Sequence, residues 1–360
     1  DAMGFRRPHQ PWYVPQKYFD MHPIEQIELP PIIENDLGDV PDAALRGNFV
    51  TEGSSVSGQT NMALHQFVLA TDQWHEAVQG NLASISYIDA MLGRVLDTLE
   101  KSPHHKNTIV VLWSDHGWHL GEKQHWQKFT SWRAATRVPF IVRVPPGAPG
   151  LQEGTKSGGV CTRPVNLLSL FPTLTELCGL PSKEDNDGPS LVPLLQDPKA
   201  EWNHISLTHA HRPGNFGLSA EGWRYIHYQD GGEELYDIVA DPYEWSNLAA
   251  QPGHAAKLAE LRALAPKNFA PLVAPKLDSL PKLAWKAGPA PASNPDGNKF
   301  EVVFINHRKA PVELFWMDRE GNAISYGLIA AEKIKRQQSR PGAVWQIATP
   351  GSDTPLGYFM

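Results

Sequence analysis

The sequence predicts an α/β layer fold with a small antiparallel subdomain toward the C-terminal side and an appended small β-sandwich. Three observations carry that prediction. Ile85, Ile88, Leu92, Val95, Leu96 and Leu99 recur at three and four residues, the period of an amphipathic helix. Soon after, Ile109, Val110, Val111, Leu112 and Trp113 form an unbroken apolar run that reads as a strand buried on both faces. Later the chain turns to strand-length runs separated by turn residues, the pattern of antiparallel β structure.

Taken in order, residues 1–60 are rich in Pro, Gly and acidic residues ("DMHPIEQIELPPIIENDLGDVPDAAL"), which argues for a loop wrapped over a scaffold. Binding residues tend to lie on such loops. A long helix is expected from Asp72 to about Glu100, and its succession by a buried strand implies layered α/β packing. "VPFIVRVPPG" predicts a strand at 138–144, and "RPVNLLSLFPTLTELCGL" a helix within 163–180 that ends at Gly179. "WNHISLTHAH" and "EGWRYIHYQDGGEELYDI" predict a small antiparallel sheet broken by a Gly-Gly turn. After a short polar helix the chain becomes Pro- and Ala-rich, which predicts a semi-extended linker over 251–298. "KFEVVFINH", "VELFWMD", "AISYGLI" and "AVWQIAT" then predict the all-β unit, residues 299–360.

With 360 residues, 41% of them hydrophobic, the chain exceeds the ~250–300 residues at which single cores stop growing, so two domains are expected. Net charge is −7 and no basic block stands out, which argues against nucleic acid as a partner. An anionic substrate would need a local positive site. No run approaches the ~18–20 apolar residues of a transmembrane segment. The opening "DAMGFRRPHQPW" has neither an initiator Met nor a signal-peptide pattern and reads as the interior of something longer. Cys161 and Cys178 could form one bridge or remain two free thiols.

The chemistry concentrates in "VVLWSDHGWHLGEKQHWQKF", residues 110–129. Asp115 and His116 follow the predicted strand, where ligands of parallel α/β sheets converge. An adjacent carboxylate and imidazole before Gly117 suit a divalent cation, although an Asp cap beside a hydrogen-bonded His gives the same letters. Lys123, Lys128 and Arg137 could offset an oxyanion together with a metal, or be solvated surface cations.

"SDHGWHLGE", "HWQKF" and "ATRVPFIVRVP" together resemble type I sulfatases of the alkaline phosphatase superfamily, nearest to iduronate-2-sulfatase-like members. "GFRRPHQPWYVPQKYFD", "SYIDAMLGRVLDTLE", "RPVNLLSLFPTLTELCGL" and "ELYDIVADPYEWSNLA" extend the resemblance over residues 1–250 in family order. It implies an alkaline-phosphatase-like sheet flanked by helices, of which this chain holds the C-terminal portion. It also implies Asp115 and His116 as Ca2+ ligands, Lys128 and His9 as sulfate contacts, and Lys123 as a weaker candidate for substrate contact. Asp89, His119 and His125 receive no role. The family's nucleophile is a formylglycine made within Cys/Ser-x-Pro/Ala-x-Arg, which neither "CTRPVN" nor "CGLPSK" matches, and the first acidic metal pair is missing too. The resemblance therefore places the nucleophile outside these residues and predicts that this chain alone is inactive. It further implies a sulfated carbohydrate substrate and an exported protein, in a periplasmic, extracellular or lysosome-like compartment.

"EVVFINHRKAPVELFWMDREGNAISYGLI" and "SRPGAVWQI" resemble the von Hippel-Lindau β domain, with Trp316, Tyr326, Ser339 and Trp345 at peptide-contacting positions but Ala343 in place of a histidine. That implies a peptide or protein ligand with hydroxyproline recognition in question; the same aromatics also suit a sandwich core. Two other functions are consistent with the sequence. One is a phosphatase or phosphodiesterase of the same superfamily using zinc or manganese, with His209 and His211 as further ligands; the other is a non-catalytic sulfatase-like binding protein.

Overall fold

The computed structural model describes residues 2–45, 61–210, 212–270, 280–352 and 354–360. His211 and the remaining parts of the expected loop and linker, 46–60 and 271–279, lie outside the described residues. The described chain divides into two compact units, one holding 2–45 and 61–270, the other 280–360.

The first unit opens in turns and extended chain, carrying the single-turn helices Gln16–Phe19 (α1) and Asp42–Leu45 (α2). Helix Asn61–Ala70 (α3), unforeseen from the sequence, leads through Asp72, with φ at 53°, into the expected long helix Trp74–Glu100 (α4). The N-terminal half of α4 buries Trp74, Val78 and Ala83. Its later apolar face, the one the periodicity picked out, is only half covered, and Ile85 is 47% exposed.

Strand Val110–Trp113 (β1) is followed by the hairpin of His119–Leu120 (β2) and Trp126–Gln127 (β3), by the one-turn helix Arg133–Thr136 (α5), and by Phe140–Arg143 (β4). Here the structure corrects an expectation. β1 pairs antiparallel with β4, Trp113 opposite Phe140, rather than lying inside a parallel sheet buried on both faces. Trp113 is 47% and Ile141 58% exposed. An apolar run records a demand for burial, and the described residues supply β1 with one neighbour and an incomplete cover.

Leu170–Leu177 (α6) continues a 3-10 turn whose start is capped by the Asn166 side chain, and the helix ends before Gly179 at φ 65°. After Val192–Gln196 (α7) comes a four-stranded antiparallel meander: Ser206–His209 (β5), Phe216–Ala220 (β6), Trp223–His227 (β7) and Glu233–Asp237 (β8). Strand alternation sends its residues to two cores. Phe216, Leu218, Tyr225 and Leu235 pack with Leu258 and Leu261 of the helix Ala255–Leu264 (α8). Ile226, Tyr228 and Tyr236 pack with Ala43 and Ala44 of α2 and with Trp132. Each fully buried Leu or Ile here contributes about 1.5–3 kcal/mol. Cys161 and Cys178 are free and exposed.

In the second unit, Trp285–Lys286 (β9), Phe300–Ile305 (β10), Val312–Met317 (β11), Ala323–Ile329 (β12), Ile334–Ser339 (β13), Trp345–Ala348 (β14) and Pro355–Phe359 (β15) form two sheets. One pairs β10 with β13; the other runs β12-β11-β14-β15-β9. Their shared core holds Phe304, Leu314, Trp345 and Ile347. The stretch expected as a linker is therefore packed at both ends, since Leu258 and Leu261 lie in one core and β9 is an edge strand of the other unit.

Candidate active site

The loop after β1 is fastened to α5 by its backbone: Gly117 N donates to Ala135 O at 2.7 Å, and Trp118 N to Ala134 O at 2.8 Å. A Cβ on Gly117 would fall 2.1 Å from Ala134 O, so only glycine permits this approach. The anchoring orients the two residues before it. Asp115 is exposed, and its Oδ1 accepts from the His116 amide at 3.1 Å. His116 Nδ1 lies 2.8 Å from Gly117 O; a carbonyl can only accept, so Nδ1 carries a proton, and Nε2 lies on the other side of the ring, 3.7 Å from Asp115 Oδ2. A metal-ligating imidazole likewise donates its other ring N–H to such an acceptor. Carboxylate oxygen and imidazole nitrogen thus stand side by side, two donor types that could hold a cation. Among the described residues, no group of three or more His, Cys, Asp or Glu could hold a metal ion.

Trp118 joins the other predicted residues to this pair. Its ring is stacked on His116 at 6.2 Å, meets His9 edge-on at 5.3 Å, and lies 5.9 Å beneath the Lys128 ammonium. Lys128 also sits 5.5 Å over the Phe129 ring. His9 donates from Nδ1 to Gln10 O at 2.7 Å, which fixes the orientation of its ring. Gln10 in turn accepts from Gln127 Nε2 at 3.3 Å, tying the His9 loop to the Lys128 loop. The Trp118 indole nitrogen is buried without a hydrogen-bond partner. Asp115, His116 and Lys128, with Arg133 and Arg137, line an open groove of about 2210 Å³. His9 is not part of that lining and reaches the cluster through Trp118. Sequence reasoning missed Trp118; an aromatic between a glycine and a histidine carries no signal distinct from a core side chain.

Lys123 is corrected to a structural role. It is 2% exposed, its ammonium is 2.7 Å from the buried Asp36 carboxylate, and it lies over the Trp132 and Tyr236 rings. Burial pushes the Asp36 carboxyl up, against the pull of Lys123, so the pair needs its mutual contact. His119 and His125 are buried too, with pKa values pushed down to about 3 and about 4 by burial first. They are neutral packing groups, with His119 Nε2 2.7 Å from Thr130 Oγ1. Asp89 is exposed, and so is His209 of the zinc alternative.

Family models match this chain over residues 3–180, as sulfatase, and over 121–267, as N-sulphoglucosamine sulphohydrolase, C-terminal. The chain carries a sulfatase-family domain. A sulfatase of Formosa agariphila is 39% identical over 75% of this chain and 50% of its own length. Human iduronate 2-sulfatase is 33% identical over 50% of this chain and 36% of its own. A Δ4,5-hexuronate-2-O-sulfatase of Bacteroides thetaiotaomicron is 32% identical over 56% and 44%. The sulfatase domain here thus spans about half the length of the curated relatives it matches or less. Among solved structures, one in complex with its substrate D-glucosamine-2-N,6-O-disulfate aligns at TM-score 0.56 and 21% identity, over 72% of this chain and 62% of that one. The phosphonate monoester hydrolase of Silicibacter pomeroyi aligns at 0.58 and 23%, over 72% and 53%. These likenesses show the alkaline-phosphatase-like α/β fold.

Proposed function

We propose that the full-length protein is a calcium-dependent sulfuric ester hydrolase acting on a sulfated carbohydrate, and that residues 1–250 supply the anion-binding side of its active site. The observation that carries this reading is the meeting of His9, from the N-terminal loop, with His116 and Lys128 around the Trp118 indole, in the loop that carries the Asp115 carboxylate. The family match and the sugar-sulfate names of several relatives support the substrate class.

Asp115 and His116 would be two of the ligands of the calcium ion, which when bound would offset the negative charge of the sulfate group. The Lys128 ammonium, presented by its aromatic bed, would contact the sulfate oxygens and stabilise the charge they gain as the S–O bond breaks. His9 would deliver a proton from Nε2 to the departing alcohol oxygen, its ring held by the Gln10 carbonyl and the edge of Trp118. The nucleophile, a formylglycine hydrate, would come from a part of the protein outside these residues, so the chain alone would bind an anion without turning it over. The family reading also carries export to a periplasmic, extracellular or lysosome-like compartment. For residues 299–360 we propose a peptide or protein ligand at Tyr326, which is 37% exposed and packs edge-on against Trp345. Trp345 itself is core, its indole N–H satisfied by Ser339 Oγ at 3.0 Å.

The test is sulfate release from sulfated mono- and disaccharides by the full-length protein, followed by ion chromatography with and without EGTA. Release that stops with EGTA and returns with added calcium is expected. Hydrolysis of phosphate esters restored by zinc, or sulfate-ester binding with no turnover, would replace this reading with a phosphatase or a binding protein.

A further inference from the structure

Lys128 stands between two non-glycine residues in the left-handed region, Gln127 at φ 72° and Phe129 at φ 78°. Such conformations cost about 1–3 kcal/mol each and persist where surrounding contacts over-determine them. Upstream, the Trp126 indole donates to His65 Nδ1 at 3.2 Å. Downstream, three consecutive residues are each gripped by one charged side chain from the meander or the turn after it. Ser131 O accepts from the Arg224 guanidinium, with Nε at 3.1 Å; Trp132 Nε1 donates to Glu234 Oε2 at 2.7 Å; Arg133 N donates to Glu244 Oε2 at 2.7 Å.

The three gripping groups are 1%, 0% and 2% exposed. Charged groups this buried are expensive unless partners hold them, and of these three groups Glu244 Oε1 alone is buried without a hydrogen-bond partner. Glu234 also accepts from the Tyr228 and Tyr236 hydroxyls, and Arg224 faces Glu244 at 3.9 Å. The guanidinium reaches Ser131 because residue 217 is glycine: a Cβ there would lie 2.2 Å from Arg224 Nη2. Glu244 itself holds φ at 61°, a second strained backbone at the clamp.

We infer that Arg224, Glu234 and Glu244 are positioning residues which hold the 127–133 loop so that the Lys128 ammonium stays over Trp118, making the antiparallel subdomain a working part of the anion site. The inference rests on the proposed reading of Lys128 as an anion contact. It assigns the buried carboxylates no proton transfer and no touch on substrate.

The experiment uses the full-length protein with Glu234→Gln, Lys128→Ala and the double variant. Two readouts are taken: kcat and KM per folded active site, and the 13C resonance of reductively methylated Lys128 during titration with inorganic sulfate, assigned with Lys128→Arg. Glu234→Gln should lower kcat/KM roughly tenfold, a misplacement effect, and add no further loss in the Lys128→Ala background. It should also abolish the sulfate-dependent shift of Lys128. A loss that multiplies with Lys128→Ala, or an unchanged sulfate-dependent shift, would overturn the inference. If Glu234→Gln does not fold, Trp132→Phe deletes the same hydrogen bond and keeps an aromatic ring, with the same outcomes expected. A wild-type protein that releases no sulfate would sink the proposed activity alone, since the Lys128 resonance reads the clamp without turnover.

Discussion

At Trp118 one ring lies beside His116 of its own loop and against side chains from two other segments, His9 and Lys128, and the latter two neighbours are invisible in a linear reading. His9, Lys128, Asp115 and His116 could be singled out as candidates because motif neighbours surround them; the indole that lies beside three of them could not, because indoles serve cores far more often than sites. Replacing Lys128 by Ala in the full-length enzyme should lower kcat/KM by about 10² or more, the usual loss when a charge stabiliser of the transition state is removed. Steady-state kinetics on a sulfated sugar check this, and unchanged kinetics would remove Lys128 from the site. Trp118→Ala should lower kcat/KM by about tenfold by freeing Lys128 and His9 together, whereas Trp118→Phe should retain more activity because it keeps a ring beneath the ammonium.

Among the elements, the hairpin of β2 and β3 carries two buried neutral histidines with a pH consequence. His119 and His125 titrate near 6.5 when unfolded but near 3 and 4 when folded, so between those values the unfolded chain binds more protons. Their contribution to stability is therefore whole above about pH 6.5 and is lost as pH falls toward 4 and 3. Glu244, pushed up to about 7 by burial, acts in the opposite sense, its contribution being lost as pH rises through 7. Comparing wild type with His119→Gln isolates the first effect: the slope of Tm against pH between 6.5 and 4 should flatten in the variant. An equal slope would show that His119 is not neutral in the fold. In the meander, Leu218→Ala should cost about 2–5 kcal/mol, measured by denaturant unfolding, because Leu218 is fully buried against α8. Strands with apolar alternation were legible, and β13 was not, since "IKRQQS" presents polar residues along most of its length. The short β6 lost its signal to Gly217, which is there to admit Arg224.

On the scale of the whole molecule, the sequence conveyed an α/β fold and a separate β unit but misjudged how the first sheet is completed. A run such as Ile109–Trp113 states that burial is required, not which residues provide it. Trp113, Ile141 and Ile85 remain exposed in the described structure, while the matched regions cover only half or less of the relatives' own length. Both facts accord with our proposal that the active site is shared between these residues and a further part of the same protein. The most direct measurement is intact mass and peptide mapping of the protein isolated from its native source. The account predicts a species well above 39.9 kDa, carrying a formylglycine peptide that precedes Asp1. A native mass of 39.9 kDa with no companion chain would contradict it, leaving a sulfatase fold without the nucleophile its anion site is arranged to serve.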